Sequence, residues 1–180
     1  YYEKCAVIAT QIQDKETMGI SLTRKGKIAL ESLNLEIARD YYLQAIKYFQ
    51  EINHPQFLGI SYGELGGIFH ALEDFQQAFS YYQKSLAAFQ SDSNEVETYW
   101  VHYKLVALFV SRNLSQARHY AARLIQMRQQ VDSDILNQAS RVVEALLLSK
   151  SQELKERMKA YFLLEQVAEE KIIQHHCHLC

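Results

Sequence analysis

Three tyrosine pairs constrain this chain more than any other feature. "YYEK" at Tyr1, "YYLQ" at Tyr41 and "YYQK" at Tyr81 follow one another at intervals of 40 residues. "GISLTRKGKI" from Gly19 matches "GISYGELGGI" from Gly59 at the same offset of 40, which also pairs Gly26 with Gly66, Leu35 with Phe75 and Ala38 with Ala78. Leu114, Ala117 and Tyr120 form a weaker copy, 39 residues after Phe75, Ala78 and Tyr81. Leu154, Met158 and Tyr161 form a fainter one still. Self-similarity at such a period means stacked supersecondary units, because one unit cannot bury its apolar face alone.

Turn signals recur on the same beat. "QDKE" from Gln13, "INHPQ" from Ile52, "QSDSNE" from Gln90 and "VDSD" from Val131 separate the units. "LN" at Leu33, "ED" at Glu73, "RN" at Arg112 and "SKSQ" at Ser149 split each in two. Such Asn, Asp, Ser and Pro clusters punctuate regular elements. Asp14, Asn53 or His54, Ser93 and Ser133 are the expected helix N-caps. Between turns the apolar spacing is helical, as in Val96, Trp100, Tyr103, Ala107 and Val110. The expectation is an all-α chain of four helix hairpins over 16–51, 55–90, 94–130 and 133–176, entered by a leftover second helix at 1–13. The chain opens without Met in mid-pattern, so a fragment of a larger protein is expected.

Composition agrees. One proline and six glycines in 180 residues favour long helices. A formal charge of −2 gives no global reason to expect nucleic acid or an anionic membrane. Neither a membrane-length apolar run nor a signal peptide is visible. Three cysteines, Cys5, Cys177 and Cys180, are no disulfide framework and fit a reducing, cytoplasmic setting.

The repeat resembles the tetratricopeptide (TPR) family. Tyr62, Leu65-Gly66 and Phe69, then Ala78, Tyr82 and Ser85, carry the resemblance. Leu22, Gly26, Ala29, Ala38, Tyr42 and Ala45 repeat it. Val101, Phe109, Ala117 and Leu124 follow more loosely, with Leu105 where Gly is expected. The resemblance implies an α-solenoid of about four hairpins in a right-handed superhelix. Two features depart from the family. The period is about 40 rather than about 34, so longer second helices are expected. The closing Pro is missing, with Gln50 and Gln90 near its place. Long repeats of this kind resemble sensor or scaffold regions of maltotriose-type activators, signal-transducing NTPases, kinesin light chains and peptide-sensing regulators.

Four of the six glycines lie between Gly59 and Gly67. Each costs a helix interior about 1 kcal/mol relative to Ala. Gly26 and Gly66 fall at the hairpin crossing, where a missing Cβ permits close approach. Gly63 and Gly67 share another face, flanked by Ile60 and His70. By resemblance this stripe lines a concave groove. It continues as Ile20, Thr23, Lys27 and Glu31 before it, and as Tyr99, His102, Val106 and Phe109 after it. Two outcomes stay open. A neighbour such as Tyr99 fills the dip at the glycines, or a ligand enters it. The helix from Val96 to Val110 is apolar on two sides, so it is either buried in the stack or open as an aromatic groove. Thr23, Lys27, Gly63 and Gly67 lack the Lys and Asn set with which some TPRs clamp a chaperone's C-terminal carboxylate.

Thr98 to Val131 contains no acid but carries Lys104, Arg112, Arg118, Arg123 and Arg128. Solvated faces explain such a run, and an acidic partner is the alternative. The bases are not interleaved with groove aromatics, which argues against nucleic acid. In the tail "HHCHLC", His175, Cys177 and Cys180 are zinc-ligand types, but no second ligand pair accompanies them. The expectation is a frayed end and no metal or other cofactor. No phosphate loop, nucleophile elbow or H-E-x-x-H occurs, so no enzyme is expected. The function expected is a protein- or peptide-binding scaffold or sensor. The alternatives are a ligand-sensing domain that controls the oligomeric state of an attached effector, and a homodimerisation module using Met158, Phe162 and Ile172 of the last helix.

Overall fold

A computed structural model describes residues 4, 14–91, 94–128 and 134–177, with side chains except at 135 and 169–177. The leftover helix at 1–13, the caps Ser93 and Ser133, and the tail's side chains lie outside that description. Among the described residues there are eight long helices and no strand. They are α1 (Lys15–Glu31), α2 (Leu35–Glu51), α3 (Pro55–Ala71), α4 (Phe75–Ser91), α5 (Glu95–Phe109), α6 (Leu114–Arg128), α7 (Asp134–Leu148) and α8 (Leu154–Cys177). α1 packs on α2, α3 on α4 and α7 on α8, and Tyr120 of α6 meets His102 and Phe109 of α5. Contacts divide the chain into two compact units, 1–101 and 102–180, with the division inside α5.

In the first unit the extra repeat length is shared. Each of α1 to α4 has 17 residues, so the expectation of selectively longer second helices is corrected. The helices meet through short, similar turns. Leu33, Asn53 and Glu73 adopt positive φ of 57°, 51° and 60°. Behind each, the next amide reaches five residues back: Asn34 N to Ala29 O, His54 N to Phe49 O and Asp74 N to Phe69 O, at 2.8, 2.9 and 2.9 Å. This is the Schellman closure, made here without glycine.

Helix starts are set locally. Asp14 accepts from the amides of Glu16 and Thr17, both at 3.1 Å, and from the Thr17 hydroxyl. Asp74, Asn94 and Asn113 cap α4, α5 and α6 by accepting from the amides of Gln77, Glu97 and Gln116. Asn53, one of two residues expected to cap α3, instead occupies the left-handed turn, and His54 takes the cap position without a side-chain bond. Pro55 then opens α3, where its missing N–H costs nothing.

Aromatic rings laid on glycines hold each hairpin together. A Cβ on Gly19 would meet the Phe49 ring at 2.6 Å, and one on Gly26 the Tyr42 ring at 2.8 Å. Gly59 and Gly66 repeat this with Phe89 and Tyr82, at 2.6 and 2.5 Å. The close approach is therefore ring to backbone. Gly59 is covered as tightly as Gly66, although it lies nearer its helix end. Ser85 adds a buried hydroxyl donating to Gly59 O at 2.7 Å. Hairpin joins hairpin through Ala29, Ala38, Tyr42, Ile46, Leu65 and Ile68, and through Phe57 stacked on Phe49 at 4.9 Å.

Gly66→Ala is expected to destabilise by about 1–3 kcal/mol through overpacking against Tyr82. Its neighbour has opposite prospects. A Cβ on Gly67 meets only the Tyr82 hydroxyl, at 4.0 Å, so Gly67→Ala is expected to stabilise by about 0.5–1 kcal/mol. Urea unfolding of the two variants checks both signs.

Burial foremost, then the Glu64 carboxylate, holds the Tyr42 and Tyr82 phenols well above their ordinary value of 10.0, with Glu31 adding to the effect at Tyr42. The folded state thus keeps protons that the unfolded chain gives up. That stability is fully present below pH 10 and is lost as the pH rises beyond it. Tyr42→Phe with Tyr82→Phe is expected to flatten the alkaline loss of stability, measured by melting across that range.

Candidate functional site

The expected groove residues of the first unit stand on the opening helix of each hairpin. Ile20, Thr23 and Lys27 fall on one face of α1 by their spacing, and Ile60, Gly63, Gly67 and His70 on one face of α3. Ile20, Thr23, Ile60, Gly67 and His70 are half-buried, and Lys27 and Glu31 are exposed. Gly63 is buried. The Thr23 hydroxyl donates to Gly19 O at 3.0 Å, which occupies it within its own helix. The His70 ring stands edge-on to Phe75 at 5.9 Å. A Cβ on Gly67 would meet only the Tyr82 hydroxyl, at 4.0 Å. The α3 row is thus an apolar strip with a shallow dip at Gly67. It can take an apolar side chain.

The third row differs. Tyr99 is 1% exposed, Val106 0% and His102 8%. They are packing residues, so the expectation of an open aromatic groove along α5 is corrected at these three positions. Phe109 is half-buried and stacks on Tyr120 at 5.8 Å, as Phe69 stacks on Tyr81 at 5.3 Å. The His102 ring meets Tyr120 edge-on at 6.0 Å. Sequence left α5 ambiguous because a helix apolar all round looks the same whether buried or waiting for a partner.

The basic run forms no single patch. Lys104 is half-buried on α5, and Arg112 lies in the turn before α6. Arg118, Arg123 and Arg128 are exposed on α6 at five-residue steps, each about 140° round the helix from the last. Arg128 instead lines a groove of about 460 Å³ between α6 and α7, whose walls include Leu124, Ile125, Val143 and Leu147. Sequence reasoning missed this groove. Ile125 in its wall is 51% exposed.

An exposed apolar surface lies on α8. Leu154, Met158, Tyr161 and Phe162 are 65%, 66%, 71% and 58% exposed. Met158 and Phe162 were expected there. Leu154 and Tyr161 were seen only as repeat markers. The side chain of Ile172, like those of His175, Cys177 and Cys180, lies outside the described residues. Among the described residues no cluster of three or more His, Cys, Asp or Glu could hold a metal ion, and no helix is long and apolar enough to cross a membrane.

No protein-family model and no curated protein matches the chain. Solved structures do. BtubC (BKLC) from P. vanneervenii is similar with a TM-score of 0.79 and 17% identity, covering 97% of this chain and 72% of that one. At that identity the likeness shows the fold alone. A signal transduction ATPase with numerous domains (STAND), a protein with a tetratricopeptide repeat sensor from Pyrococcus horikoshii, is similar with a TM-score of 0.74 and 25% identity. That match covers 94% of this chain and 28% of the ATPase, so the chain spans about a quarter of that protein's length. The likenesses agree with the eight helices: the chain is an all-α helical-repeat solenoid.

Because Val106 is buried, Val106→Ala is expected to cost about 1–3 kcal/mol, and Tyr99→Ala about 3–5 kcal/mol. Lys27→Ala on the exposed end of the α1 row is expected to stay within about 0.5 kcal/mol of wild type. Denaturant titrations distinguish packing from surface positions by these differences.

Proposed function

We propose that the chain is a TPR-type binding module that serves a larger regulatory or signalling protein as scaffold or sensor. Its partner is a protein or peptide segment with apolar side chains and acidic groups, and it carries out no catalytic step of its own. The observation that carries this reading is the α3 row. Ile60, Gly67 and His70 stay half-buried on a helix whose adjacent face is locked by rings on Gly59 and Gly66. A rigid helix with an accessible apolar strip suits recognition of an extended or helical segment. Lys27, exposed on α1, would meet acidic groups. Three cysteines without a framework support a reducing, cytoplasmic setting.

The sensor form of this reading is favoured by the likeness to the STAND ATPase, whose repeat region is described as a sensor. In that form, ligand capture on the hairpins biases an attached effector between oligomeric states. Self-association through α8 is compatible with either form, because it uses different residues.

The test is selection of peptides from a displayed library on the immobilised chain, followed by titration. Ile60→Glu with Lys27→Glu is expected to lose most affinity for the selected peptides while keeping wild-type helicity and melting temperature. Equal binding by wild type and the variant would remove the α1 and α3 rows from the function.

A further inference from the structure

The outward side of α8 has a pattern that packing within its own unit does not use. Ala160 and Val167 are buried, so they mark the face that packs inward. Two neighbouring rows at i, i+4, i+8 run along the opposite side. The first is Leu154, Met158 and Phe162. The second is Arg157, Tyr161 and Glu165. All six are exposed. Lys159, by contrast, is tied to Glu144 of α7 at 2.8 Å.

The second row is the telling one. Its aromatic centre has a cation one turn before it and an anion one turn after it. A two-fold axis at Tyr161 therefore sets Arg157 of one copy opposite Glu165 of another, and does so twice. Tyr161 then meets its own counterpart, and the apolar rows close beside it. A parallel pairing would place like charge on like. A surface made for a foreign helix needs no such complementarity to itself. Contiguous exposed apolar rows of this kind mark an interaction surface, and a closed two-fold contact must be self-complementary.

We propose that α8 is a homodimerisation surface, pairing antiparallel with α8 of a second copy of this chain about a two-fold axis at Tyr161. This goes beyond the peptide-binding reading and fails or stands independently of it.

The experiment is sedimentation of the full chain over a range of concentrations. A dimer mass is expected. Met158→Asp with Phe162→Asp is expected to give a monomer with unchanged circular dichroism and melting temperature, since both residues are largely exposed. Arg157→Glu alone, or Glu165→Arg alone, is expected to weaken the dimer about tenfold at low salt. The two together restore the opposite charges and are expected to recover wild-type affinity. Three outcomes would overturn the proposal. One is a wild-type monomer at every soluble concentration, including one in which α8 is protected from hydrogen exchange by some other partner. A second is a dimer indifferent to Met158 and Phe162. The third is a dimer that the paired charge exchange does not restore, because antiparallel register requires that rescue.

Discussion

The aromatic ring lying on a glycine is the contact on which the first unit depends. Gly19 and Gly26 stand seven residues apart on α1, and Tyr42 and Phe49 stand seven apart on α2. The helices run antiparallel, so the two rings meet the two glycines in reversed order. Hairpin two repeats the arrangement residue for residue. Four rings sit where Cβ atoms would clash, which draws each pair of helices closer than ordinary side chains allow. The helix-propensity cost of four glycines is about 4 kcal/mol in all. Full burial of an aromatic ring contributes about 1.5–3 kcal/mol for each, so the exchange favours the hairpin.

A second constraint sets the period. Each of the three turns from α1 to α4 reverses the chain in three residues, through a left-handed position held by Leu33, Asn53 or Glu73. Left-handed backbone disfavours Leu and Glu by about 1–2 kcal/mol. The closure is kept because the five-residue reach of the next amide satisfies carbonyls at the end of the preceding helix. With those three turns alike and each of α1 to α4 17 residues long, the rows on the first two hairpins fall at matching positions. That is why Gly19 and Gly59 face equivalent rings.

Much of this was legible in the sequence, and the reasons differ by residue. The glycines and tyrosines announce the repeat because offset 40 is a property of order alone. The ring that covers each glycine is a matter of register between helices, which a period does not state, so Phe49 and Phe89 went unassigned. The turns at Leu33 and Glu73 were read in place, but their left-handed backbone was hidden because Leu and Glu do not favour it by type. Within the site, Tyr99 and Val106 were read as groove because spacing gives a face but not what covers it. The α6–α7 groove escaped because its walls, Leu124 and Val143 among them, come from different helices whose separation no local pattern encodes.

The fading of the repeat after hairpin two has a physical account in the same register. The two helices of hairpin three are offset differently: α5 opens 40 residues after α3, so Gly66 becomes Val106, and α6 opens 39 after α4, so Tyr82 becomes Ala121. Val106 and Ala121 are 0% and 2% exposed. At these equivalent positions the small residue and the large one have changed helices, an exchange a crossing tolerates when total volume is about kept. The Phe69–Tyr81 stack, by contrast, persists as Phe109–Tyr120. Hairpin three thus keeps the stack and inverts the crossing. A motif written as "glycine here, aromatic there" loses sight of it, while the physical requirement for one small and one large partner remains met.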